Sequence, residues 1–244
     1  MSRLVLLHGF TGSPASWDEV RRLLPSGVDV LAPALAGHGG PAASSFEAEV
    51  DRIASLAPGE GFVLAGYSLG ARLALGLLVR HPGLARSAVL VGVQPGFGDE
   101  AERVRRRGDD ERWARSLGEG RLDRFVEEWS KLPLFRSQAD LPAASREAQR
   151  RIRLGHDPRS LAGALRALGP AAMPCWSDRL PGIRVPVRLV AGERDAKFVA
   201  LARSLAERLP RADVRIVPGV GHNVILEAPR AVAGLLMEDL SCPV

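Results

Sequence analysis

The stretch of residues 62–80 constrains the fold of this chain more than any other. An apolar run of strand length is joined to a longer apolar run of helix length by Gly-Tyr-Ser-Leu-Gly, with Ser68 at its centre. This spacing is typical of a nucleophile elbow, a tight turn in which crowded backbones leave no room for a Cβ at either glycine. Because the spacing also occurs in ordinary loops, the inference depends on the flanking strand and helix. The alternative is a plain turn whose serine only caps the helix.

Strand and helix patterns alternate along most of the chain. Such alternation favours right-handed crossovers and a doubly wound, mostly parallel sheet, whose ligand site lies beyond the carboxyl ends of the strands. His8, Ser68 and Gln94 fall at such ends. Besides the elbow strand and its helix, the predicted strands are 4–7, 28–32, 87–91, 187–191 and 213–217, and the predicted helices are 17–24, 46–56, 199–209 and 229–240.

The strand pattern stops between Gly96 and about Leu180. This segment is charged, rich in arginine and helical in pattern, with helices predicted at 100–107, 110–117, 122–131, 144–154 and 160–168. We interpret it as a helical cap inserted between two strands of the sheet. The predicted domains are an α/β core of residues 1–95 and 181–244 and a cap of residues 96–180.

A serine hydroxyl becomes a useful base or nucleophile when an imidazole takes its proton and a carboxylate orients that imidazole. Asp195 follows one predicted strand, and His222 follows the next. The chain order Ser, Asp, His, with each residue just past a strand, is that of the α/β-hydrolase fold. Ser68, Asp195 and His222 are therefore the predicted catalytic residues. Glu193 is a rival carboxylate that lies closer to the strand end.

Four other histidines have weaker claims to the role of base. His8 and His38 lie in glycine-rich loops, whose shape we expect them to determine. His81 and His156 lie in polar surroundings in the sequence, and we predict that both are surface residues.

Two backbone N–H groups are predicted to form an oxyanion hole. One belongs to Phe10, in the loop after the first strand, and the other to Leu69, the residue after the elbow serine. These are the positions from which α/β-hydrolases stabilise a developing negative charge. The sequence thus predicts an anion-stabilising site beside Ser68.

Arg72 is out of place in the helix that follows the elbow, because that helix is otherwise apolar nearly all round. It lies four residues after Ser68, one turn further along the same face. A buried guanidinium is costly unless an anion pairs with it. That anion is either a carboxylate of the protein or the substrate, and arginine is well suited to bidentate carboxylate binding.

Several motifs together resemble one family. They are His-Gly-Phe-Thr-Gly at 8–12, Gly-His-Gly-Gly at 37–40, Gly-Tyr-Ser-Leu-Gly-Ala-Arg at 66–72, Pro-Leu-Phe-Arg-Ser-Gln at 133–138, Gly-Glu-Arg-Asp-Ala-Lys-Phe at 192–198 and Gly-His-Asn at 221–223. Over essentially the whole length, the chain resembles the 2-succinyl-6-hydroxy-2,4-cyclohexadiene-1-carboxylate synthases (MenH-like) of the α/β-hydrolase superfamily. The resemblance implies a lyase of menaquinone biosynthesis. Such an enzyme eliminates pyruvate from a succinyl-enolpyruvyl-cyclohexene carboxylate, with the serine as general base.

The resemblance also implies roles for residues outside the triad. It makes Arg106 and Arg153 carboxylate ligands together with Arg72, Trp129 a packing wall, and Tyr67 a substrate-binding neighbour of the serine. A shift by one helical position stays open, because other arginines flank Arg106 and Arg153. Trp129 in its amphipathic segment is also compatible with simple core packing. The flanking arginines are Arg103, Arg105, Arg107, Arg150 and Arg151.

Composition excludes several classes of function. No apolar run is long enough for a membrane span, and the first strand pattern starts so near Met1 that we expect no signal peptide. The two cysteines, Cys175 and Cys242, have no metal-binding spacing, which favours free thiols in a reducing cytoplasm. The net charge is +5, and the arginines alternate with acidic residues in helical patterns, so we expect no nucleic acid partner.

The predicted ligand is a small polycarboxylate, and we expect no cofactor and no metal ion. The main alternative to the lyase is a cytoplasmic serine carboxylesterase or C–C bond hydrolase with the same triad. A non-catalytic binding protein is a third alternative, against which the complete set of Ser68, Asp195 and His222 argues. The sequence contains no signal for a particular oligomeric state, monomer or dimer.

Overall fold

The computed structural model describes residues 3–57 and 59–241, and Cys242 lies outside the described residues. The described strands form one parallel sheet in the order β2-β1-β3-β4-β5-β6. This order places the elbow strand β3 near the centre of the sheet, between β1 and β4. The strands are β1 (Arg3–Leu7), β2 (Asp29–Leu31), β3 (Phe62–Tyr67), β4 (Ala85–Val91), β5 (Val187–Gly192) and β6 (Ala212–Val217).

Helices cover both faces of the sheet, which is why every residue of β3 is buried and apolar or glycine. One core lies between the sheet and α2, α3 and α8, and the other lies between the sheet and α1, α9 and α10. The predicted doubly wound α/β fold is confirmed. The helices of these two layers are α1 (Asp18–Arg21), α2 (Phe46–Leu56), α3 (Leu69–Arg80), α8 (Ala196–Ala206), α9 (Val224–Glu227) and α10 (Pro229–Ser241).

Between β4 and β5 the described chain is helical, with a third apolar cluster of its own. We call residues 96–180 the helical segment. Its separation as a cap domain from a core of residues 1–95 and 181–244 stays a prediction. Its helices are α4 (Glu100–Gly118), α5 (Leu122–Ser130), α6 (Ala143–Leu154) and α7 (Pro158–Leu168), with 3-10 turns at Pro133–Asp140 and Ser177–Gly182.

The predicted break between two helices in the first part of the helical segment is wrong. Two helices are predicted at 100–107 and 110–117, whereas α4 runs unbroken through Gly108. A glycine in an exposed helix interior costs only about 1 kcal/mol relative to alanine. Ion pairs one turn apart, Arg106–Asp110 and Glu111–Arg115, support the helix next to that position.

In the part of the chain that the structure describes, no helix combines the length and the apolar character that crossing a membrane requires.

Candidate active site

Ser68 lies at the tip of a strained turn between β3 and α3. Its φ is 51° and its ψ is −104°, a conformation that residues other than glycine rarely adopt. A methyl group at Gly66 would overlap the carbonyl of Gly70, and one at Gly70 would overlap the carbonyl of Leu7. The close approach of these backbones therefore requires both glycines, as the elbow motif predicts.

The three predicted catalytic side chains form one hydrogen-bonded chain. The Ser68 hydroxyl lies 3.1 Å from Nε2 of His222, and Nδ1–H of His222 donates to Oδ2 of Asp195 at 2.7 Å. His222 and Asp195 are buried. Nδ1–H donation to the carboxylate leaves Nε2 free to accept the serine proton.

Asp195, and not Glu193, is the carboxylate at the imidazole. Glu193 is exposed and accepts a hydrogen bond from the Gly219 N–H at 2.8 Å. Asp195 also caps α8, because its Oδ1 accepts from the Phe198 N–H at 3.3 Å. This cap explains why α8 begins three residues before the predicted helix of 199–209. The hydrogen bond from Phe198 N–H and the hydrogen bond from His222 thus hold the two carboxylate oxygens of Asp195 in place.

The N–H groups of Phe10 and Leu69 are free to stabilise an anion. In the described part of the chain neither of them donates a hydrogen bond. Leu69 is the first residue of α3, so its N–H is one of the unpaired donors at the positive end of the helix. Phe10 lies in the loop after β1, which packs against the elbow.

A cavity of about 520 Å³ opens over Ser68. The triad histidine and five residues predicted from sequence to bind or surround a ligand share its lining, together with Lys197 of the Asp-x-Lys-Phe motif. Leu69 and Asp195 do not line it. The predicted residues that line this cavity are Phe10, Tyr67, Ser68, Arg72, Arg106, Trp129 and His222.

Arg153 lines a neighbouring cavity of about 460 Å³ instead. The rings of Phe10, Tyr67 and Phe135 belong to the walls of both cavities. Arg153 is buried, its Nη1 donates to the Ser130 hydroxyl at 2.6 Å, and its guanidinium lies 5.1 Å above the Phe135 ring. Burial lowers the pKa of Arg153 to about 10. Its charge lacks a partner carboxylate among the described residues, which suits an anion-binding role.

Arg72 is buried and forms no ion pair among the described residues. Its Nη1 donates to the Leu168 carbonyl at 2.8 Å and lies 3.8 Å from the Met173 sulfur. Burial is the main cause that lowers the pKa of Arg72 to about 9, and the charge of Arg106 lowers it further, while Asp110 acts in the opposite direction. The positive charge is thus incompletely compensated inside the cavity that contains Ser68.

Arg106 and Arg112 also line that cavity. Nε of Arg106 donates to Oδ1 of the buried Asp110 at 2.8 Å, and burial raises the pKa of that carboxyl. None of the flanking arginines at 103, 105 and 107 lines the cavity. On the other side, Arg151 lines the second cavity with Arg153, whereas Arg150 does not.

Trp129 and Tyr67 line the cavity and also pack against other rings. Trp129 stacks on Phe125 with ring centroids 5.4 Å apart, and its buried indole N–H has no hydrogen-bond acceptor in the described part of the chain. The Tyr67 ring lies 5.4 Å from the His222 ring, and burial raises the pKa of its hydroxyl. Trp129 thus both packs in the apolar cluster of the helical segment and lines the cavity, and its contact with a substrate stays a prediction.

A match to the alpha/beta hydrolase family extends over residues 4–235. The chain belongs to the α/β-hydrolase family. Within it, the resemblance to the MenH-like synthases is confirmed. A protein of Bacillus subtilis (strain 168) named putative 2-succinyl-6-hydroxy-2,4-cyclohexadiene-1-carboxylate synthase is 33% identical over 252 residues, which cover 98% of this chain and 90% of that protein.

Two solved structures of α/β hydrolases are similar to this chain. MenH from S. aureus has a TM-score of 0.92 at 30% identity, with 99% of this chain and 95% of that chain covered. A thermophilic esterase from Thermogutta terrifontis, solved with malate bound, has a TM-score of 0.84 at 26% identity and covers 98% of this chain and 89% of that chain. The family thus includes both synthases and esterases among the relatives of this chain.

Glu227 is a residue of this α/β hydrolase that the sequence did not single out. Its two carboxylate oxygens accept from the N–H groups on either side of His222, from Gly221 at 2.7 Å and from Asn223 at 3.2 Å. It thereby fixes the loop that presents His222. Local sequence patterns gave no signal for this contact, because Glu227 lies in the four-residue helix α9, which was not predicted.

We expect Glu227→Ala to lower turnover by about tenfold, because the loss of two charge-assisted hydrogen bonds frees the loop of His222. Steady-state kinetics of the purified variants measure this effect. Glu207→Ala, which removes an exposed carboxylate at the end of α8, is the matched control and should leave turnover unchanged. Unchanged turnover in Glu227→Ala would show that the loop holds His222 without this carboxylate.

Three histidines outside the triad are buried together, and for His156 this corrects the prediction of a surface position. His81, by contrast, is partly exposed and lies 2.7 Å from Asp51. The rings of His8 and His38 lie 5.1 Å apart, and those of His38 and His156 lie 5.4 Å apart. No group of three or more His, Cys, Asp or Glu side chains within the described residues is arranged to hold a metal ion.

These buried histidines predict a loss of stability in mild acid. Burial is the main cause that lowers the pKa of His8 to about 4, and it also lowers those of His38 and His156. The unfolded chain therefore binds more protons below pH 6.5, so the free energy of unfolding falls as the pH falls from 6.5 towards 4. His8 alone should account for a loss of about 2 kcal/mol between pH 7 and pH 5.

Urea unfolding at a series of pH values measures this slope. Burial raises the pKa of Asp110 and of Asp239, and these carboxyls act with the opposite sign, so the variant His38→Gln isolates the histidine contribution. That variant should show a shallower slope between pH 7 and pH 5 than the parent. Equal slopes for the two chains would contradict the assignment.

Proposed function

We propose that this enzyme eliminates pyruvate from a succinyl-enolpyruvyl-cyclohexene carboxylate, a lyase step of menaquinone biosynthesis. The observation that favours this function most is the buried, incompletely compensated Arg72, one turn beyond Ser68 and in the same cavity as Arg106. A cavity lined by three arginines, Arg72, Arg106 and Arg112, suits an anionic ligand better than a neutral ester. The names of the relatives point to the same reaction.

In the proposed mechanism, His222 accepts the proton of the Ser68 hydroxyl, and Asp195 orients the imidazole and stabilises its positive charge. The Ser68 oxygen then removes a proton from a ring carbon next to the succinyl carbonyl. The electron pair moves onto the carbonyl oxygen, where the N–H groups of Phe10 and Leu69 stabilise the enolate-like charge.

Collapse of this enolate forms the second ring double bond and breaks the bond between the ring carbon and the enolpyruvyl oxygen. The leaving group departs as the enolate of pyruvate and gains a proton as it becomes the ketone. The proton that His222 took from Ser68 thus ends on pyruvate, and the proton of the ring carbon restores the Ser68 hydroxyl. Both residues return to their starting states. No water is consumed, and no acyl group is transferred to Ser68. The side chains and the backbone supply all of these steps, so we propose that no cofactor takes part.

The substrate has several carboxylates, and the proposal assigns arginines to them. Arg72 and Arg106 bind one carboxylate above Ser68, and Arg153 binds another from the second cavity. Trp129 forms a wall for the ring, and Tyr67 lies between the two cavities. The helical segment acts as a cap domain that excludes water from the enolate, and the enzyme acts in the cytoplasm.

The second candidate function is that of a carboxylesterase or C–C bond hydrolase with the same triad. The similarity to the Thermogutta terrifontis esterase favours it, since that structure covers 98% of this chain. In this alternative Ser68 attacks a carbonyl carbon, and water later releases the acyl group. The two candidates differ in whether pyruvate is released and in whether Ser68 is acylated.

One experiment separates the two functions. The purified protein is incubated with the isochorismate-derived succinyl substrate, and pyruvate is followed with lactate dehydrogenase, while a panel of p-nitrophenyl esters is assayed in parallel. We expect pyruvate release at rates far above ester hydrolysis. Fast ester turnover without pyruvate release would reject the lyase function.

A further inference from the structure

The turn that contains Phe10 is strained. The Gly12 N–H donates to the Gly9 carbonyl at 3.0 Å, which closes a four-residue turn with Thr11 in its third position. Thr11 has a φ of 62°, and among the described residues only Thr11 and Ser68 combine a side chain with a positive φ. Glycine or asparagine normally occupies such a position, and a β-branched residue there is a genuine outlier. Contacts elsewhere must hold the turn in this conformation.

His8 fixes the first peptide of the turn. Its Nδ1–H donates to the Gly9 carbonyl at 2.8 Å, and its Nε2 accepts from the Leu35 N–H at 3.1 Å. The Gly9 carbonyl and the Phe10 N–H belong to the same planar peptide group. The hydrogen bond from His8 therefore sets the direction in which the Phe10 N–H points.

Two further histidines fix the peptides on either side of Thr11. The Thr11 N–H donates to Nε2 of His38 at 3.1 Å, and the Thr11 carbonyl accepts from Nε2–H of His156 at 3.2 Å. His38 also donates from Nδ1–H to the Ala36 carbonyl at 3.1 Å, which sets its tautomer. Consecutive peptide groups of the turn are thus each held by an imidazole.

His156 differs from the other two because it comes from the helical segment, between α6 and α7. It is 145 residues from Thr11 in sequence and only 8% exposed. The strain of a non-glycine residue at positive φ is comparable in size to one hydrogen bond. Loss of the bond from His156 is therefore enough to let Thr11 relax, and the neighbouring peptide moves with it.

We propose that His156 is a positioning residue of the turn of residues 9–12, which we call the oxyanion turn. It holds Thr11 in the left-handed conformation and thereby keeps the Phe10 N–H directed at the charge that develops beside Ser68. Through this bond the helical segment contributes to the chemistry without touching the reacting atoms. The inference rests on the proposed function only in its assumption that negative charge develops at the Phe10 N–H.

The test compares His156→Leu, which removes the N–H donor, with His156→Gln, which retains an N–H donor on a side chain of similar reach. We expect kcat for pyruvate release to fall about tenfold or more in His156→Leu, with KM changed less than threefold, because an oxyanion contact acts mainly in the transition state. His156→Gln should recover most of the loss. His81→Leu, which replaces a partly exposed histidine at the end of α3 that contacts Asp51, is the matched control and should match the parent.

A second readout does not depend on the natural substrate. A fluorophosphonate reacts with an activated serine through an anionic transition state, so its rate of attachment to Ser68, followed by intact mass, also depends on the oxyanion donors. Slower labelling of folded His156→Leu, with recovery in His156→Gln, supports the inference even if the parent releases no pyruvate, in which case only the proposed function fails. Equal kcat and equal labelling rates for His156→Leu and the parent, or equal losses in both variants, would overturn it.

Discussion

Ser68→Ala is expected to lose on the order of 10³-fold in pyruvate release, because the proposed reaction needs a base at the position of the serine oxygen. The hydroxyl lies at the strained tip of the elbow and lines the cavity together with His222. In the proposed reaction the imidazole of His222 acts through the Ser68 oxygen, 3.1 Å from its Nε2, so the variant lacks the group that removes the ring proton. The residual rate should come from binding and from the N–H groups of the oxyanion hole.

The measurement is kcat by the lactate dehydrogenase assay, with thermal unfolding as a check that the variant is folded. Ser55→Ala removes a hydroxyl on α2 that donates to the Arg52 carbonyl, and this matched control should retain the parental rate. A Ser68→Ala variant within tenfold of the parent would mean that another group removes the proton.

Arg72→Met should lose about 100-fold in kcat/KM for the tricarboxylate substrate and less than threefold for a small neutral ester. Methionine fills much of the volume of the arginine side chain, so the variant tests charge more than packing. The reason for the difference is that the guanidinium pairs with the substrate carboxylate, whereas a neutral ester offers it no anion. Arg72→Lys should recover only part of the loss, because lysine lacks the bidentate geometry.

Arg80→Met is the matched control for this prediction. Arg80 ends the same helix α3, is largely solvated and pairs with Asp51, so its replacement should change neither activity. Equal losses on both substrates in Arg72→Met would show that Arg72 is structural, through its bond to the Leu168 carbonyl.

The parts of this protein that sequence predicts well have local signals. The elbow combines a buried strand, two required glycines and a buried helix within 62–80, so its geometry follows from neighbouring residues. The predicted helix 46–56 is found as Phe46–Leu56, because Ser45 caps it and its apolar residues recur at helical spacing. Arg72 likewise stood out because it lies one turn past Ser68 in an otherwise apolar helix.

The parts that sequence missed lack a periodic local pattern, and some of them depend on contacts between distant segments. His156 lies in polar surroundings in the sequence, and only the packing of the helical segment on the turn at Thr11 buries it. Glu227 belongs to a helix too short to have a periodic pattern. The continuity of α4 through Gly108 depends on ion pairs and on packing against α7, which no local propensity encodes. Motif spacing also does not reveal that Arg153 faces a second cavity.

In the proposed function, Ser68 acts as a base in an elimination and not as an acyl acceptor. A rapid-quench experiment over the first turnover tests it most directly, with pyruvate and the intact mass of the protein measured in the same samples. We expect one pyruvate for each substrate molecule consumed, and a protein mass that stays that of the unmodified chain throughout. An acyl adduct on Ser68, or consumption of the substrate without pyruvate, would contradict it.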